Sequence, residues 1–101
     1  MSRYILSVEA ESDLERLLEF GIDTFGETAA IAYFDGLVER FESISKSPLQ
    51  YPEASNIRDG YRLSVYKSHS VYFRSASGVV EIIRILTGQD IEAALERAGV
   101  S

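Results

Sequence analysis

The residues best equipped for chemistry in this sequence are three arginines and a single histidine, all in its second half. Arg62, Arg74 and Arg84 stand among β-branched and aromatic residues, in Gly60-Tyr61-Arg62, His69-Ser70-Val71-Tyr72-Phe73-Arg74 and Ile82-Ile83-Arg84-Ile85-Leu86-Thr87-Gly88-Gln89-Asp90. A guanidinium buried in a sheet is costly unless it is paired, so each must meet a carboxylate or face a partner. Glu81, Asp59 and Asp90 are the acids at hand for pairing. A binding role is the other reading, because arginine and tyrosine are enriched at protein interfaces.

Other constellations are poor. With one histidine and no cysteine, a zinc site would need several carboxylates at spacings the sequence lacks. Ser68 and Ser70 adjoin His69, but neighbours on a strand point to opposite faces, so no hydroxyl is poised for activation. His69 is expected at a strand entrance, partly buried and hydrogen-bonded. Glu11/Glu15, Asp35/Glu39 and Glu92/Glu96 are i, i+4 pairs on helix surfaces rather than an acid and a base facing one cleft. The glycines are scattered as punctuation, with no phosphate-cradling loop. Neither a cofactor nor a metal is expected.

The elements that must position these residues follow from patterning. Arg3–Val8 is rich in strand formers. Leu14, Leu17, Leu18, Gly21, Ile22 and Phe25 recur at helical spacing behind Glu9, Glu11 and Asp13, predicting a helix over 10–24. Ala30, Tyr33, Phe34, Leu37, Phe41 and Ile44 predict a second over 27–47, stopped by Ser47-Pro48. The short link at Gly26 makes the two an antiparallel hairpin. Residues 48–60 hold both prolines and read as a loop. Strands follow over 61–67, 69–76 and 79–87, joined by two-residue turns and so antiparallel. Ile91–Ala98 reads as a short C-terminal helix between Asp90 and Gly99.

The predicted architecture is α+β, in the order β-α-α-β-β-β: a helical hairpin packed on an antiparallel sheet, with a short C-terminal helix. On the strands, Tyr61, Leu63, Val65, Val71, Phe73, Ile83 and Ile85 are expected to meet the helices. Arg62, Ser64, Tyr66, Tyr72, Arg74, Val80, Ile82, Arg84 and Leu86 are expected on the other face.

A chain of 101 residues is expected to form one domain, residues 1–101. The hydrophobic fraction of 46% suits a folded soluble protein, and the absence of cysteine suits a reducing cytoplasm. No signal-peptide core or membrane-length apolar run is evident. The net charge of −6 argues against direct DNA or RNA binding. That charge is uneven: residues 1–53 carry a net of −7 and residues 54–101 a net of +1.

Taken in order, the chain resembles the ParE toxins of the RelE/ParE toxin–antitoxin superfamily. The resemblance is carried by Tyr4-x-Leu6-Ser7-x-x-Ala10-x-x-Asp13-Leu14 and Phe25-Gly26-x-x-x-Ala30-x-x-Tyr33-x-x-x-Leu37. Ser47-Pro48, Gly60-x-Arg62, His69-x-Val71-x-Phe73-Arg74 and Ile83-x-Ile85-Leu86-x-Gly88-x-Asp90 continue it. The chain departs from the family pattern at Thr87 and Gln89, where a histidine and a basic residue are usual.

The resemblance implies a non-enzymatic poison of DNA gyrase, neutralised by a ParD-like antitoxin whose disordered tail folds onto it in a hetero-oligomer. A RelE-like, ribosome-dependent mRNA endonuclease and a non-toxic, antitoxin-binding member are the alternatives. RNA cleavage needs a base, an acid and cations around the phosphate. Here Ser70, Gln89 and Asp90 stand where basic residues would be, and the 48–60 loop offers only Arg58. Candidate antitoxin-binding residues are Glu11, Leu14, Glu15, Leu18, Glu19 and Tyr33. Candidate target-binding residues are Arg62, His69, Arg74, Arg84, Gln89 and Asp90.

Overall fold

One hydroxyl marks the junction between the first strand and the first helix. Ser7 accepts the amide of Ala10 at 3.0 Å, capping the helix N-terminus, and donates to the carbonyl of Ile83 at 2.7 Å. The computed structural model describes residues 3–55 and 57–87. Strand β1 (Tyr4–Leu6) leads through this cap into helix α1 (Val8–Phe25). The cap starts α1 two residues earlier than the hydrophobic spacing predicts. Gly26, at φ 92°, turns the chain directly into α2 (Glu27–Lys46), a conformation that suits a residue without Cβ. The helices approach closely, since a Cβ on Gly21 would lie 3.2 Å from the Ala30 Cβ.

After a 3₁₀ turn at Pro48–Gln50 come β2 (Arg62–Tyr66), β3 (His69–Ala76) and β4 (Val79–Leu86). The last three strands are antiparallel neighbours, as predicted. The sheet order is β1-β4-β3-β2, and β1 lies parallel to β4, so the complete sheet is mixed rather than antiparallel. A parallel partner needs a long crossover, and the helical hairpin supplies it. The predicted C-terminal helix, with Gln89 and Asp90, lies outside the described residues.

The core sits between hairpin and sheet. Ala10 and Leu14 of α1 and Leu37, Phe41 and Ile44 of α2 pack against Val71, Phe73, Val80, Ile82 and Ile85. Full burial of each larger side chain favours folding by about 1.5–3 kcal/mol. Tyr4 closes one end, edge-on to Phe41 at 5.6 Å.

Two predicted faces are overturned. Register pairs Arg62 with Phe73 and Ser64 with Val71, so Arg62, Ser64 and Tyr66 share the helix-facing side of β2. Val65 is 59% exposed, and Leu63 joins a second apolar cluster of Ala54, Tyr72, Leu86 and Tyr61. In β4 the register slips between Tyr72 and Phe73, which face Arg84 and Ile82 respectively, leaving Ile83 as an extra residue. This bulge breaks the two-residue alternation. Val80 and Ile82 therefore join Ile85 in the core, and Arg84 does not share their face.

Candidate functional site

The three arginines do not form an array. Arg62 donates to the Tyr51 carbonyl at 2.7 Å and lies 3.6 Å from Glu53, tying the loop to the edge strand. Arg74 bonds Glu81 across the β3–β4 hairpin at 2.8 Å. Arg84 leaves the sheet for α1, where Nε and Nη2 reach the two oxygens of Asp13 at 2.8 and 3.0 Å. Of the partners expected from sequence, only Glu81 is used among these contacts. Asp13 also accepts Arg16 Nη2 at 2.6 Å and the backbone amide of Ile85 at 2.9 Å, with its side chain only 2% exposed. Such a carboxylate is affordable only because several donors converge on it.

A fourth arginine, Arg40 of α2, crosses to β2. Its Nη1 donates to the Ser64 hydroxyl and the Val65 carbonyl, both at 2.9 Å, and its guanidinium lies 5.3 Å from the centre of the Tyr66 ring. Ser64 is buried, so this bond satisfies a hydroxyl inside the protein. Sequence patterning had no signal for this pairing, because Arg40 lies on the polar side of the helical repeat.

His69 meets Tyr33. The tyrosine hydroxyl lies 2.7 Å from His69 Nδ1 and 3.3 Å from the Tyr66 carbonyl, to which it donates. The ammonium of Lys67 lies 5.6 Å from the centre of the Tyr33 ring and 5.5 Å from that of Tyr66. Tyr66 in turn packs over Gly36, where a Cβ would overlap its hydroxyl. A histidine, two tyrosines and a lysine thus gather where the β2–β3 turn meets α2.

Beside this cluster opens an apolar groove of about 630 Å³. Leu17, Phe20 and Phe25 of α1 and Ala29, Ala30 and Tyr33 of α2 form its walls, with Ser68, His69 and Thr87 at the strand ends. A smaller recess of about 260 Å³ shares Leu17, Phe20, His69 and Thr87 and extends to Asp13, Arg16 and Ile85. Phe20 and Phe25 are 64% and 70% exposed, an unusual degree for two phenylalanines at one end of a small protein. The groove is a binding shape: apolar walls with a few polar groups at one end.

Of the candidate antitoxin-binding residues, Tyr33 lines this groove, Glu11, Glu15 and Glu19 are exposed on α1, and Leu18 is half-buried. Leu14, at 7% exposure, packs in the core cluster. Leu17, Phe20 and Phe25, absent from the sequence-based candidates, are α1 side chains that line the groove. Helical spacing placed Leu17 in the apolar stripe but could not show that the sheet ends before covering it. Of the target-binding candidates, Arg62, Arg74 and Arg84 are held as described, His69 sits at the groove, and Gln89 and Asp90 lie outside the described residues. Among the described residues, no three acids or histidines are grouped to hold a metal ion, and no helix is long and apolar enough to cross a membrane.

Known proteins bear on this arrangement. A toxin named ParE1 from Caulobacter vibrioides is 36% identical over 87 residues, covering 85% of this chain and 88% of that protein. A ParE1 toxin of Mycobacterium tuberculosis is 29% identical over 86 residues, covering 84% of this chain and 88% of its own length. A solved chain from the chromosomal ParDE system of P. aeruginosa superposes with a TM-score of 0.76 over 86% of this chain and 96% of that one. Its 19% identity makes that a likeness of fold. The family model for the ParE toxin of the type II toxin–antitoxin system parDE matches residues 4–92, and the chain belongs to that family.

Proposed function

We propose that this ParE toxin acts by binding rather than by catalysis, as a poison of DNA gyrase, and that a ParD-like antitoxin neutralises it in a hetero-oligomer in the cytoplasm. The observation that carries this reading is the fate of the sheet arginines. Arg62, Arg74 and Arg84 are engaged by Tyr51, Glu53, Glu81 and Asp13 within the fold. A ribonuclease would need such cations directed at the scissile phosphate. The exposed phenylalanines and apolar groove suit contact with another protein. Glu11, Glu15 and Glu19 are proposed to meet basic antitoxin residues, and Arg74 and His69 to border the target surface.

Expression of the chain alone, followed by incubation with gyrase and supercoiled DNA, tests this. Growth arrest with ATP-dependent accumulation of cleaved DNA is the expected result. Cuts in ribosome-bound mRNA would instead assign the endonuclease reading, and absence of arrest at high expression would assign a non-toxic, antitoxin-binding role.

A further inference from the structure

Two tyrosines from different elements make a corner at the protein surface. Tyr33 of α2 and Tyr66 at the end of β2 meet edge to face, ring centres 5.3 Å apart and planes at 75°. Both are half-buried, so each keeps ring surface open to solvent. A cation already stands at this corner. The Lys67 ammonium lies 5.6 Å from the Tyr33 ring centre and 5.5 Å from that of Tyr66. At such distances the negative face of an aromatic ring attracts an ammonium.

This resident cation is weakly held. Lys67 is exposed, and among the described residues it enters no ion pair. Its backbone adopts φ 52°, a left-handed conformation that glycine or asparagine enters more easily. What lysine adds at this turn is the cation. Arg40 makes the contrast: its guanidinium also lies by the Tyr66 ring, but the Ser64 hydroxyl and the Val65 carbonyl tie it down. Arg40 is fixed, whereas Lys67 can be exchanged.

We propose that the Tyr33–Tyr66 corner is a recognition site for a lysine or arginine side chain of a partner protein, and that Lys67 holds the place until that cation displaces it. Charge favours such an arrival. The chain carries a net charge of −6, and α2 itself bears Glu27, Asp35, Glu39 and Glu42 against Arg40 and Lys46. The same charge opposes a nucleic acid or an anionic lipid surface. Tyr33 is shared between the corner and the apolar groove, so the site borders surface of the kind that protein interfaces bury. Because Lys67 competes, the affinity of any outside cation falls by the fraction of molecules in which the corner stands empty.

Lys67→Gly provides the test, since glycine keeps the left-handed turn and removes the ammonium. The probe is lysinamide acetylated at its α-nitrogen, titrated while the ring signals of Tyr33 and Tyr66 are followed by nuclear magnetic resonance. The same compound acetylated on its side chain is the uncharged control. Lys67→Gly should bind the probe about fivefold more tightly than the unaltered chain, as loss of one competing cation–π contact requires. Adding Tyr66→Leu should abolish the gain, with the amide signals of Val71 and Ile85 reporting that the core is intact. Equal affinity in Lys67→Gly and the unaltered chain, equal binding of the uncharged control, or a gain that survives Tyr66→Leu would overturn the proposal. So would shifts confined to Tyr51 or Tyr61. Neither antitoxin nor gyrase takes part, so failure here leaves the function proposed above standing.

Discussion

The Asp13 carboxylate and the Arg84 guanidinium form a two-pronged pair, 2.8 and 3.0 Å, that fastens the start of the first helix to the end of the last strand. The bulge at Ile83 separates Arg84 from Val80 and Ile82, whose face alternation predicts it to share, and the Arg84 side chain reaches Asp13 on α1. The same carboxylate receives the amide of Ile85, beyond the three-residue reach of β1 along β4. Asp13 thus continues with a side chain the edge that β1 begins with backbone.

Replacing Asp13 by Ala should be the most damaging single change in this network. It strands two guanidinium contacts and a buried amide, and should cost about 3–5 kcal/mol. Arg84→Ala should cost less, about 1–2 kcal/mol, because Asp13 keeps Arg16 and the Ile85 amide. Urea midpoints at constant slope measure both, and an Arg84 variant weaker than the Asp13 variant would contradict the ordering.

Gly36→Ala sets two effects against each other. Alanine favours the helix by about 1 kcal/mol. Its Cβ, however, would overlap the Tyr66 hydroxyl, and that ring is fixed edge-on to Tyr33 at 5.3 Å and beneath Arg40. Overpacking of a fixed ring costs about 1–3 kcal/mol, so net destabilisation is expected. The Gly36→Ala, Tyr66→Leu double variant should recover it; thermal unfolding of both variants decides.

Ser7→Ala should lose more than an ordinary helix cap, whose removal costs about 1 kcal/mol. The Ile83 carbonyl would also lose its donor. Ser7→Asn, which can cap but fits the bulge less well, should recover part of the loss in chemical denaturation.

Alkaline pH should destabilise the protein. Burial raises the Tyr72 hydroxyl above its ordinary value of 10.0, and burial together with the nearby Glu42 carboxylate raises that of Tyr4. The folded chain therefore holds these protons after the unfolded chain has released them. Their contribution is complete below pH 10 and is lost as pH rises through the folded values. Tyr4→Phe with Tyr72→Phe should flatten the decline in unfolding free energy above pH 10; an unchanged slope would refute the assignment.

Both helices were legible because their apolar residues repeat at a period that only a helix satisfies, with Phe41 and Ile44 buried as the stripe requires. The strands were legible as strands, but not their faces. Which side Leu63 takes depends on its pairing with Tyr72, and the side of Val80 and Ile82 on an extra residue in β4, neither of which local alternation reveals. The parallel pairing of β1 was hidden for the same reason: nothing in Tyr4-Ile5-Leu6 names Val80-Glu81-Ile82 as its neighbour. At the candidate site, Tyr33 and His69 were legible by residue type. Their mutual contact and the groove beside them depend on where the sheet ends.

The pairing of Tyr4 with Val80 also sets an order in time. Synthesis delivers β1 before β4, so Tyr4 must wait for Val80, made long after it, before its ladder can close. An interrupted translation product that ends before Val79 holds the helical hairpin but neither the Asp13–Arg84 clasp nor the closed sheet. The finished surface therefore arises only once β4 has been made, and a copy of this toxin truncated before it lacks the architecture of the whole.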